Sequence, residues 1–279
     1  MPEGDTLHRL AGKLGPVLVG QVVRNVELPR TNVDARGLAG MTITGIEARG
    51  KNLLVHFSSG DPKGDRSLHV HLQMRGRVDL IVRGASHGGE VVAIVETEAH
   101  AMIVRSAPVA RLLRTKDLVR DRAFRDLGPD VLGAGFDVDE GVRRLRLRND
   151  RPLGEALLDQ GAIAGIGNVW KSELCLLGGL DPFASVEKHT DDELRVLLER
   201  ARDLMRANVE ATRRRIPDPF VPRAGRVARE ARQGEAPLSV YDRAGKPCYT
   251  CGALITSASQ GFVTPRITYV CPSCQPRRV

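Results

Sequence analysis

Aromatic side chains and long apolar runs are both scarce in this chain of 279 residues. Phe, Trp and Tyr together make up 4% of the residues, whereas hydrophobic residues as a whole make up 42%. Aliphatic side chains must therefore build the core, and the hydrophobic content argues against intrinsic disorder. No apolar stretch is long enough to cross a bilayer, and no secretory leader is recognisable. These absences predict a folded, cytoplasmic protein with no membrane partner.

Cysteine is also rare, and four of the five cysteines form two C-x-x-C pairs, Cys248 with Cys251 and Cys271 with Cys274. Nineteen residues separate the pairs, which is the spacing of a four-thiolate zinc site. Two disulfides are the alternative, and a cytoplasmic location disfavours them. No His or carboxylate accompanies the cysteines, so we predict one structural Zn²⁺ rather than a catalytic one. Cys175 is predicted to be a buried thiol.

The excess of positive charge is confined to the C-terminal part of the chain. The formal net charge is +8, and residues 205–279 carry 13 basic but only 5 acidic side chains, whereas residues 1–204 are balanced. A solvated basic tail would explain this pattern, and so would a binding surface for a polyanion such as nucleic acid. Residues 213–237 are rich in Arg, Pro and Gly and are predicted to be an exposed basic linker.

Hydrophobic periodicity divides the chain into a strand-rich part and a helical part. Apolar residues at Leu7, Leu10, Ala11 and Leu14 predict a first helix, which Gly15-Pro16 should end. Short β-prone runs separated by turn residues follow and predict a β-sandwich or barrel; they cover residues 21–26, 41–46, 52–57, 67–72, 77–82 and 91–96. From about residue 139 to residue 208 the apolar period becomes helical.

These patterns predict an α+β fold with an N-terminal helix and β-sandwich, a helical domain, and a four-cysteine zinc-finger hairpin. The predicted parts are a sandwich domain over 1–122, a hinge over 123–138, a helical domain with the basic linker over 139–237, and the zinc finger over 238–279. The segment Thr264 to Tyr269 is expected to place Arg266 near the tip of the hairpin.

The first residues have a chemical interpretation. If Met1 is removed, Pro2 carries the terminal amine, and an α-amino group titrates near pH ~8, so part of it is an unprotonated nucleophile at neutral pH. Such an amine can form a Schiff base with an aldehyde-like carbon, and Glu3 can supply or accept the proton. A disordered terminus is the structural alternative.

Three further segments allow either a functional or a structural interpretation. The turn at Gly161–Lys171 precedes a helix, whose backbone N–H groups could bind an anion together with Asn168, although it could also be a helix packing joint. Lys51 begins a strand and could reach a phosphate or could be an ordinary strand-edge charge. In the segment His71–Gly76, Met74 could enter a base stack or pack in a core.

Taken together, these segments resemble the formamidopyrimidine-DNA glycosylase/endonuclease VIII family of bifunctional DNA repair enzymes. The similarity covers nearly the whole chain in the right order. The segments that carry it are Pro2–Gly4, Arg49–Lys51, His71–Gly76, Gly128–Leu132, Gly165–Lys171, and Val240–Arg243 leading into the cysteine module.

The resemblance implies a catalytic set of four residues. Pro2 would attack C1′ of a damaged nucleotide, and Glu3 would act as general acid and base. Lys51 would contact phosphate and assist elimination, and Arg266 would grip phosphate and assist a second elimination. The partner is damaged double-stranded DNA, bound by a monomer that associates with the nucleoid.

The resemblance also implies a set of DNA contacts. Asn168, in a helix–two-turn–helix element, would hold backbone phosphates, and Lys171 follows in the same segment. Met74 with Gln73 would fill the space of the flipped base. Endonuclease VIII has an Arg that contacts DNA at the position that Asp126 occupies here. Arg125 lies next to that position.

The sequence favours the endonuclease VIII branch, and hence oxidised pyrimidines, because Gly128–Leu132 matches that branch better and the Asp-Arg-Arg-Phe-Gly-like loop of the other branch is missing. An enzyme specific for 8-oxoguanine and formamidopyrimidine lesions is the first alternative. A non-catalytic DNA-binding zinc-finger paralogue is the second, although binding alone does not require Pro2, Glu3 and Lys51.

Overall fold

The structure is a computed structural model that describes residues 2–31, 33–211, 214–217, 238–261 and 265–278. Two compact units divide the chain, Met1–Asp126 and Leu127–Val279. Within the described residues, no helix combines the length and the apolar character that a membrane crossing requires. The finer division into four parts stays a prediction, and most of the basic linker at 213–237 lies outside the described residues.

The N-terminal unit is a sandwich of two four-stranded antiparallel sheets preceded by a long helix, α1 (Gly4–Leu18). The strand bounds are β1 Asn25–Glu27, β2 Thr42–Arg49, β3 Asn52–Ser58, β4 Arg66–His71, β5 Arg77–Val82, β6 Val91–Glu96, β7 His100–Arg105 and β8 Val109–Arg114. One sheet has the order β2-β3-β4-β8 and the other has the order β1-β6-β7-β5. A short helix, α2 (Arg122–Arg125), ends the unit. The predicted sandwich is therefore confirmed.

Helix α1 does not stop at Gly15-Pro16 as the sequence predicted. Pro16 lies inside the helix, which continues to Leu18. The proline removes one backbone donor, but the next turn still closes, because Val19 N–H donates to the carbonyl of Gly15 at 3.0 Å. Leu14 and Leu18 are both buried in the sandwich core, and that burial offsets the missing hydrogen bond.

Strands β3 and β4 alternate between an apolar face and a polar face. Leu53, Val55 and Phe57 of β3 point into the sandwich core. Because successive residues of a strand point to opposite faces, Asn52, Leu54 and His56 point outward, and two of these three side chains are polar. On β4 the outward residues are Ser67, His69 and His71, and His71 pairs with Asn52 across the ladder. The outer face of this sheet therefore carries hydrogen-bonding groups.

The C-terminal unit contains four α-helices and a two-stranded hairpin in its described residues. The helices are α3 Val138–Arg146, α4 Leu153–Leu158, α5 Asn168–Gly178 and α6 Asp191–Val209, and the strands are β9 Thr256–Gln260 and β10 Arg266–Val270. Trp170 of α5 is fully buried in the helical core. Helix α6 begins with a capping box in which Thr190 and Glu193 bond each other's backbone N–H groups. The predicted helical region and hairpin are confirmed.

A buried carboxylate joins the cysteine module to helix α5. Glu173 has no solvent exposure, and its two carboxylate oxygens accept the backbone N–H groups of Ser239, Val240 and Tyr241, each at 2.8 Å. Hydrogen bonds to an ionised acceptor are the stronger kind, and three of them meet here on one side chain. The start of the cysteine module is thereby fixed to the middle of α5.

A second contact joins the hairpin to α5 through a row of buried side chains. Lys171 Nζ donates to Thr268 Oγ1 at 2.6 Å, and Thr268 Oγ1 donates to Gln260 Oε1 at 2.8 Å. Gln260 Nε2 then donates to the carbonyl of Pro182 at 2.7 Å. Gly154 of α4 leaves room for this row, since a Cβ at that position would lie 2.4 Å from Gln260 Oε1. The hairpin and the helices therefore form one packed structure.

We expect Glu173→Gln to lower the free energy of unfolding of the C-terminal unit by about 3 kcal/mol, because one carboxylate acceptor becomes an amide donor that faces backbone N–H groups. Urea unfolding followed by the fluorescence of Trp170, the single tryptophan, measures this unit. Glu199→Gln, an exposed change on α6, is the matched control and should stay within about 0.5 kcal/mol of the parent. Equal stabilities of the two variants would contradict the role of Glu173.

Candidate active site and nucleic-acid interface

Pro2 and Glu3 are held by the start of α1. Glu3 is the residue that caps the helix, and its carbonyl accepts the N–H groups of Thr6 at 2.9 Å and Leu7 at 3.2 Å. The Glu3 side chain has no solvent exposure, and Pro2 is partly buried. A disordered terminus therefore does not describe Pro2 and Glu3. The terminal amine of Pro2 would lie one residue from a buried carboxylate.

Lys51 lies in the two-residue turn that joins β2 to β3. Gly50, the first residue of the turn, has φ +58, a conformation that glycine adopts without strain. Arg49 and Asn52 form the last pair of the hairpin ladder. Burial, and then the positive charge of Lys51, lowers the pKa of His71. Helix α1 packs against β2 and β3, so the element that carries Glu3 and the hairpin that carries Lys51 are direct neighbours.

Gln73 and Met74 project from the turn between β4 and β5. The Met74 side chain is 61% exposed, which removes core packing as its explanation. Gln73 has φ +47, and its backbone N–H donates to His71 Nδ1 at 3.2 Å. Gly76 closes the turn so tightly that a Cβ there would lie 2.5 Å from the carbonyl oxygen of Leu72. An exposed apolar side chain on a fixed turn has the form that insertion into a base stack requires.

Asn168 is the first residue of α5 and lies beside the β9-β10 hairpin. It is 7% exposed, and its Nδ2 donates one hydrogen to the carbonyl of Ile267 at 2.9 Å. A side-chain amide nitrogen carries two hydrogens, so a second donor remains for an anion at the helix N-terminus. Arg266 directly precedes Ile267 at the start of β10. The fold thus brings together Asn168 and Arg266, which are far apart in sequence.

The position of Lys171 corrects the prediction that it contacts DNA. Its side chain has no solvent exposure, and the ammonium group points between α5 and β10, where it donates to Thr268. A phosphate cannot reach the ammonium group without separating these elements. We therefore assign Lys171 a structural role, which the sequence hid because Lys is rarely buried completely.

Arg125 lies on the short helix α2 and is engaged by its neighbour. Its guanidinium donates to both carboxylate oxygens of Asp126, at 2.8 and 3.1 Å, and both side chains are exposed. Exposed ion pairs of this kind are weak and are screened by salt. A contact of Arg125 with DNA stays a prediction, and it would have to replace the bond to Asp126.

The four paired cysteines come together at one point. One sulfur from each of Cys248, Cys251, Cys271 and Cys274 lies within 4.8 Å of all the others. The Sγ atoms of Cys248 and Cys274 are 3.9 Å apart and those of Cys251 and Cys271 are 3.4 Å apart, too far for disulfides. A metal ion can be held here by the four sulfurs. Cys175 is buried elsewhere, and burial raises its pKa to about 12.

Sequence reasoning missed a hydrogen-bonded row on the outer face of the first sheet. Arg111 Nη2 lies 3.1 Å from His69 Nδ1, and His69 Nε2 lies 2.8 Å from Asn52 Oδ1. Asn52 Nδ2 donates to the carbonyl of Arg49 at 3.0 Å, directly before the Lys51 turn. The one signal in the sequence is a polar residue at every second position of a strand, which is also typical of an ordinary exposed face.

His69 is held in its neutral form. Burial, and then the positive charge of Arg111, lowers its pKa to about 4. A guanidinium can only donate hydrogen bonds, so Nδ1 must accept and Nε2 must carry the hydrogen. Arg111 is in turn held by Asp121, the residue that caps α2. The Phe124 ring of α2 covers the imidazole, with ring centroids 4.8 Å apart.

Comparison with known proteins identifies the class. Residues 1–117 match the family model of the formamidopyrimidine-DNA glycosylase N-terminal domain, and residues 127–218 match that of the formamidopyrimidine-DNA glycosylase H2TH domain. The chain belongs to the formamidopyrimidine-DNA glycosylase/endonuclease VIII family of DNA glycosylases, and the predicted resemblance is confirmed.

Individual relatives cover the chain almost completely. It is 35% identical to a probable endonuclease 8 2 of Streptomyces coelicolor, covering 99% of this chain and 94% of the relative. It is also 35% identical to the DNA-(apurinic or apyrimidinic site) lyase Nei2 of Mycolicibacterium smegmatis, with 99% of each covered. A Moorella thermoacetica formamidopyrimidine-DNA glycosylase is 32% identical over 90% of this chain and 91% of its own.

A solved structure supports the fold. The formamidopyrimidine-DNA glycosylase of Lactococcus lactis, bound to DNA that contains an abasic site, superposes with a TM-score of 0.78. The match covers 99% of this chain and 100% of that one at 21% identity. At this identity the likeness establishes the shared fold alone.

The low pKa of His69 predicts a pH dependence of stability. The unfolded chain takes up a proton near pH ~6.5, whereas the folded chain does so only near pH 4, so stability falls as the pH drops between these values. From pH 7 to pH 5 the loss from this group should be about 2 kcal/mol. Urea unfolding by circular dichroism at both pH values should show a smaller loss for His69→Gln. The exposed change His87→Gln is the control; the same pH dependence in all three proteins would refute the assignment.

Proposed function

We propose that this chain is a bifunctional DNA glycosylase and abasic-site lyase that removes oxidised pyrimidines from DNA through a Schiff base on Pro2. The observation that carries the proposal is Glu3, a carboxylate buried at the start of α1 one residue from the terminal amine. A buried carboxylate beside an amine nucleophile is the arrangement that proton transfer in this chemistry needs.

Pro2 and Glu3 of the N-terminal unit carry out removal of the base and formation of the Schiff base. The lone pair of the Pro2 nitrogen forms a bond to C1′ of the damaged nucleotide while the bond from C1′ to the base breaks, and the base leaves with the proton that the attacking amine gives up. Glu3 protonates the ring oxygen, the sugar opens, and an iminium ion forms between Pro2 and C1′. Loss of a proton from C2′ then expels the 3′ phosphate, and loss of a proton from C4′ expels the 5′ phosphate in a second elimination. Water finally hydrolyses the iminium and frees the Pro2 amine. Met1 must be absent, because only a free Pro2 amine can attack.

Cations assist the two eliminations by stabilising the leaving phosphates. Lys51 lies in a hairpin turn next to the helix that carries Glu3, and Arg266 begins strand β10 beside Asn168. Both groups are cations that suit phosphate contact, and the guanidinium of Arg266 can bind two phosphate oxygens at once. We assign Lys51 to the first elimination and Arg266 to the second.

The proposed substrate is a base that has left the helix stack in duplex DNA. A glycosylase cannot reach C1′ of a stacked nucleotide, so the base must be flipped, and a wedge offsets part of the lost stacking. Met74, exposed on a rigid turn, is the proposed wedge with Gln73 beside it. Asn168 and Arg125 would hold phosphates, and the protein would act as a monomer on the chromosome in the cytoplasm.

Oxidised pyrimidines are favoured over purine lesions by the relatives and by one motif. Relatives named endonuclease 8 2 and Nei2 are 35% identical to this chain, and Gly128–Leu132 matches the endonuclease VIII branch. Purine-lesion excision is the second candidate, because a relative named formamidopyrimidine-DNA glycosylase is 32% identical. A non-catalytic DNA-binding paralogue would need neither the buried Glu3 nor a Lys51 turn.

The four cysteines fit a structural zinc ion. Four thiolates at ~2.3 Å from a tetrahedral Zn²⁺ stand about 3.8 Å from one another, close to the sulfur separations of 3.9 and 3.4 Å. Zinc would be held by Cys248, Cys251, Cys271 and Cys274 and would order the hairpin that carries Arg266.

Borohydride trapping tests the Schiff base. Incubated with duplex DNA that carries thymine glycol or an abasic site, the wild type should form a covalent adduct after reduction. Pro2→Gly, or a short extension before Pro2, should weaken the adduct at least about ten-fold, because the amine is changed or blocked. An extension of equal length after Val279 is the control. An undiminished adduct with a blocked N-terminus would refute the role of Pro2.

Excision rates, compared with trapping, test the role of Glu3 in base removal and the preference for one class of lesion. Glu3→Gln should lose excision of a damaged base much more than trapping on a preformed abasic site. Rates on 8-oxoguanine, compared with thymine glycol and 5-hydroxyuracil, decide between purine and pyrimidine lesions. An 8-oxoguanine rate above both pyrimidine rates would contradict the proposed branch.

Metal analysis tests the zinc site. We expect about one Zn²⁺ per chain, released by a strong chelator together with DNA binding, because the hairpin loses its order. Cys271→Ser should lower the zinc content, whereas Cys175→Ser, which changes a cysteine outside the cluster, should not. A metal-free preparation with full DNA binding would contradict this expectation.

A further inference from the structure

The row of side chains that ends at the Lys51 turn has a fixed direction. Arg111 can only donate, so His69 must accept at Nδ1 and donate from Nε2 to Asn52 Oδ1. The amide nitrogen of Asn52 then points to the carbonyl of Arg49 and donates to it. Each group can therefore adopt one hydrogen-bonding state, and the state of the first determines that of the last.

The row is shielded from water at its centre. Asn52 is 6% exposed and His69 is 2% exposed, so solvent does not replace either hydrogen bond at low cost. The outer end is fixed by Asp121, which accepts from both Arg111 and the backbone N–H of Ala123 in α2. The row connects the last helix of the N-terminal unit to the turn at Gly50-Lys51, entirely within that unit.

The inner end of the row acts on the backbone of the turn. Asn52 bonds the carbonyl three residues before it, so its side chain spans the Gly50-Lys51 turn and closes it. Gly50 has φ +58 and places no steric limit of its own on the turn. This side-chain bond adds to the ladder pairing of Arg49 with Asn52 and so restricts the residue between Gly50 and Asn52 further. The residue so placed is Lys51.

We propose that Asn52 and His69 are positioning residues for Lys51: the row from Arg111 through His69 and Asn52 fixes the turn that presents the Lys51 ammonium to the DNA phosphate during strand cleavage. This inference rests on the role given to Lys51 under the proposed function. Neither residue touches the substrate, and both act through the turn. Misplacing a catalytic group by about 1 Å can cost up to ~100-fold in rate, so fixing the turn has a measurable effect.

A double-mutant cycle in the full-length protein tests the proposal. Single-turnover cleavage of DNA with a preformed abasic site is measured for the wild type, Asn52→Leu, Lys51→Ala and the double variant. Asn52→Leu has a similar volume but lacks the bond to Arg49. It should slow cleavage about ten-fold in the wild-type background and less than about two-fold when Lys51 is already absent. The Kd for abasic DNA should change less than about two-fold.

A second pair of variants, at His69, tests the proposal even where the substitution of Asn52 disturbs folding. His69→Gln retains an amide donor for Asn52 and an acceptor for Arg111, and it should keep most of the cleavage rate. His69→Leu lacks both and should match Asn52→Leu. Thr97→Val is the control, because it removes a buried hydroxyl from the turn between β6 and β7 in the other sheet's hairpin and should not change the rate.

The outcomes distinguish failure of the positioning role from failure of the role given to Lys51. Equal slowing by Asn52→Leu in both backgrounds, or equal rates for His69→Gln and His69→Leu, would overturn the positioning role alone. A wild-type rate for Lys51→Ala would overturn the role of Lys51 in the proposed function and this inference with it. A slow Lys51→Ala combined with an unaffected Asn52→Leu would overturn only the inference.

Discussion

The docking of the cysteine module on helix α5 is the contact on which the C-terminal unit depends. The module has few apolar side chains, and its small core of Val240, Cys248, Ile255 and Cys271 includes Leu176, which belongs to α5. Directional hydrogen bonds to Glu173 supply what this small core cannot. Since Asn168 lies on the same helix and Arg266 on the docked hairpin, this docking fixes the relative position of two groups that are proposed to bind phosphate.

In the N-terminal unit, a sheet rather than a helix fixes the position of a cationic side chain. One face of β3 and β4 is apolar and packs into the sandwich, and the other face carries a hydrogen-bonded row that ends at the Lys51 turn. Rigid packing on the first face keeps the spacing of the polar groups on the second constant. The buried carboxylate of Glu173 therefore fixes the hairpin that carries Arg266, and the polar face of the first sheet supports the turn that carries Lys51.

Sequence reasoning recovered the parts of the molecule that local patterns specify. Periodicity identified the sandwich and the helices, and the spacing of the cysteines identified the cluster. It did not identify β7 and β8, because β7 is a short apolar run without alternation and β8 has an ambiguous period. The burial of Lys171 and the pairing of Asn52 with His69 depend on contacts between residues distant in sequence. No local pattern records such contacts, and neither could be predicted.

The glycine at position 154 has a consequence for the interpretation of natural variants. It carries no charge, donates no side-chain hydrogen bond and is not one of the residues proposed to act in catalysis or to bind phosphate. Yet a single added carbon would collide with Gln260 and displace the bridge between the hairpin and Pro182. An alanine there would therefore resemble a defect of the Arg266 finger. The residues that position 154 tolerates would therefore depend on the hairpin it contacts rather than on the helix that contains it.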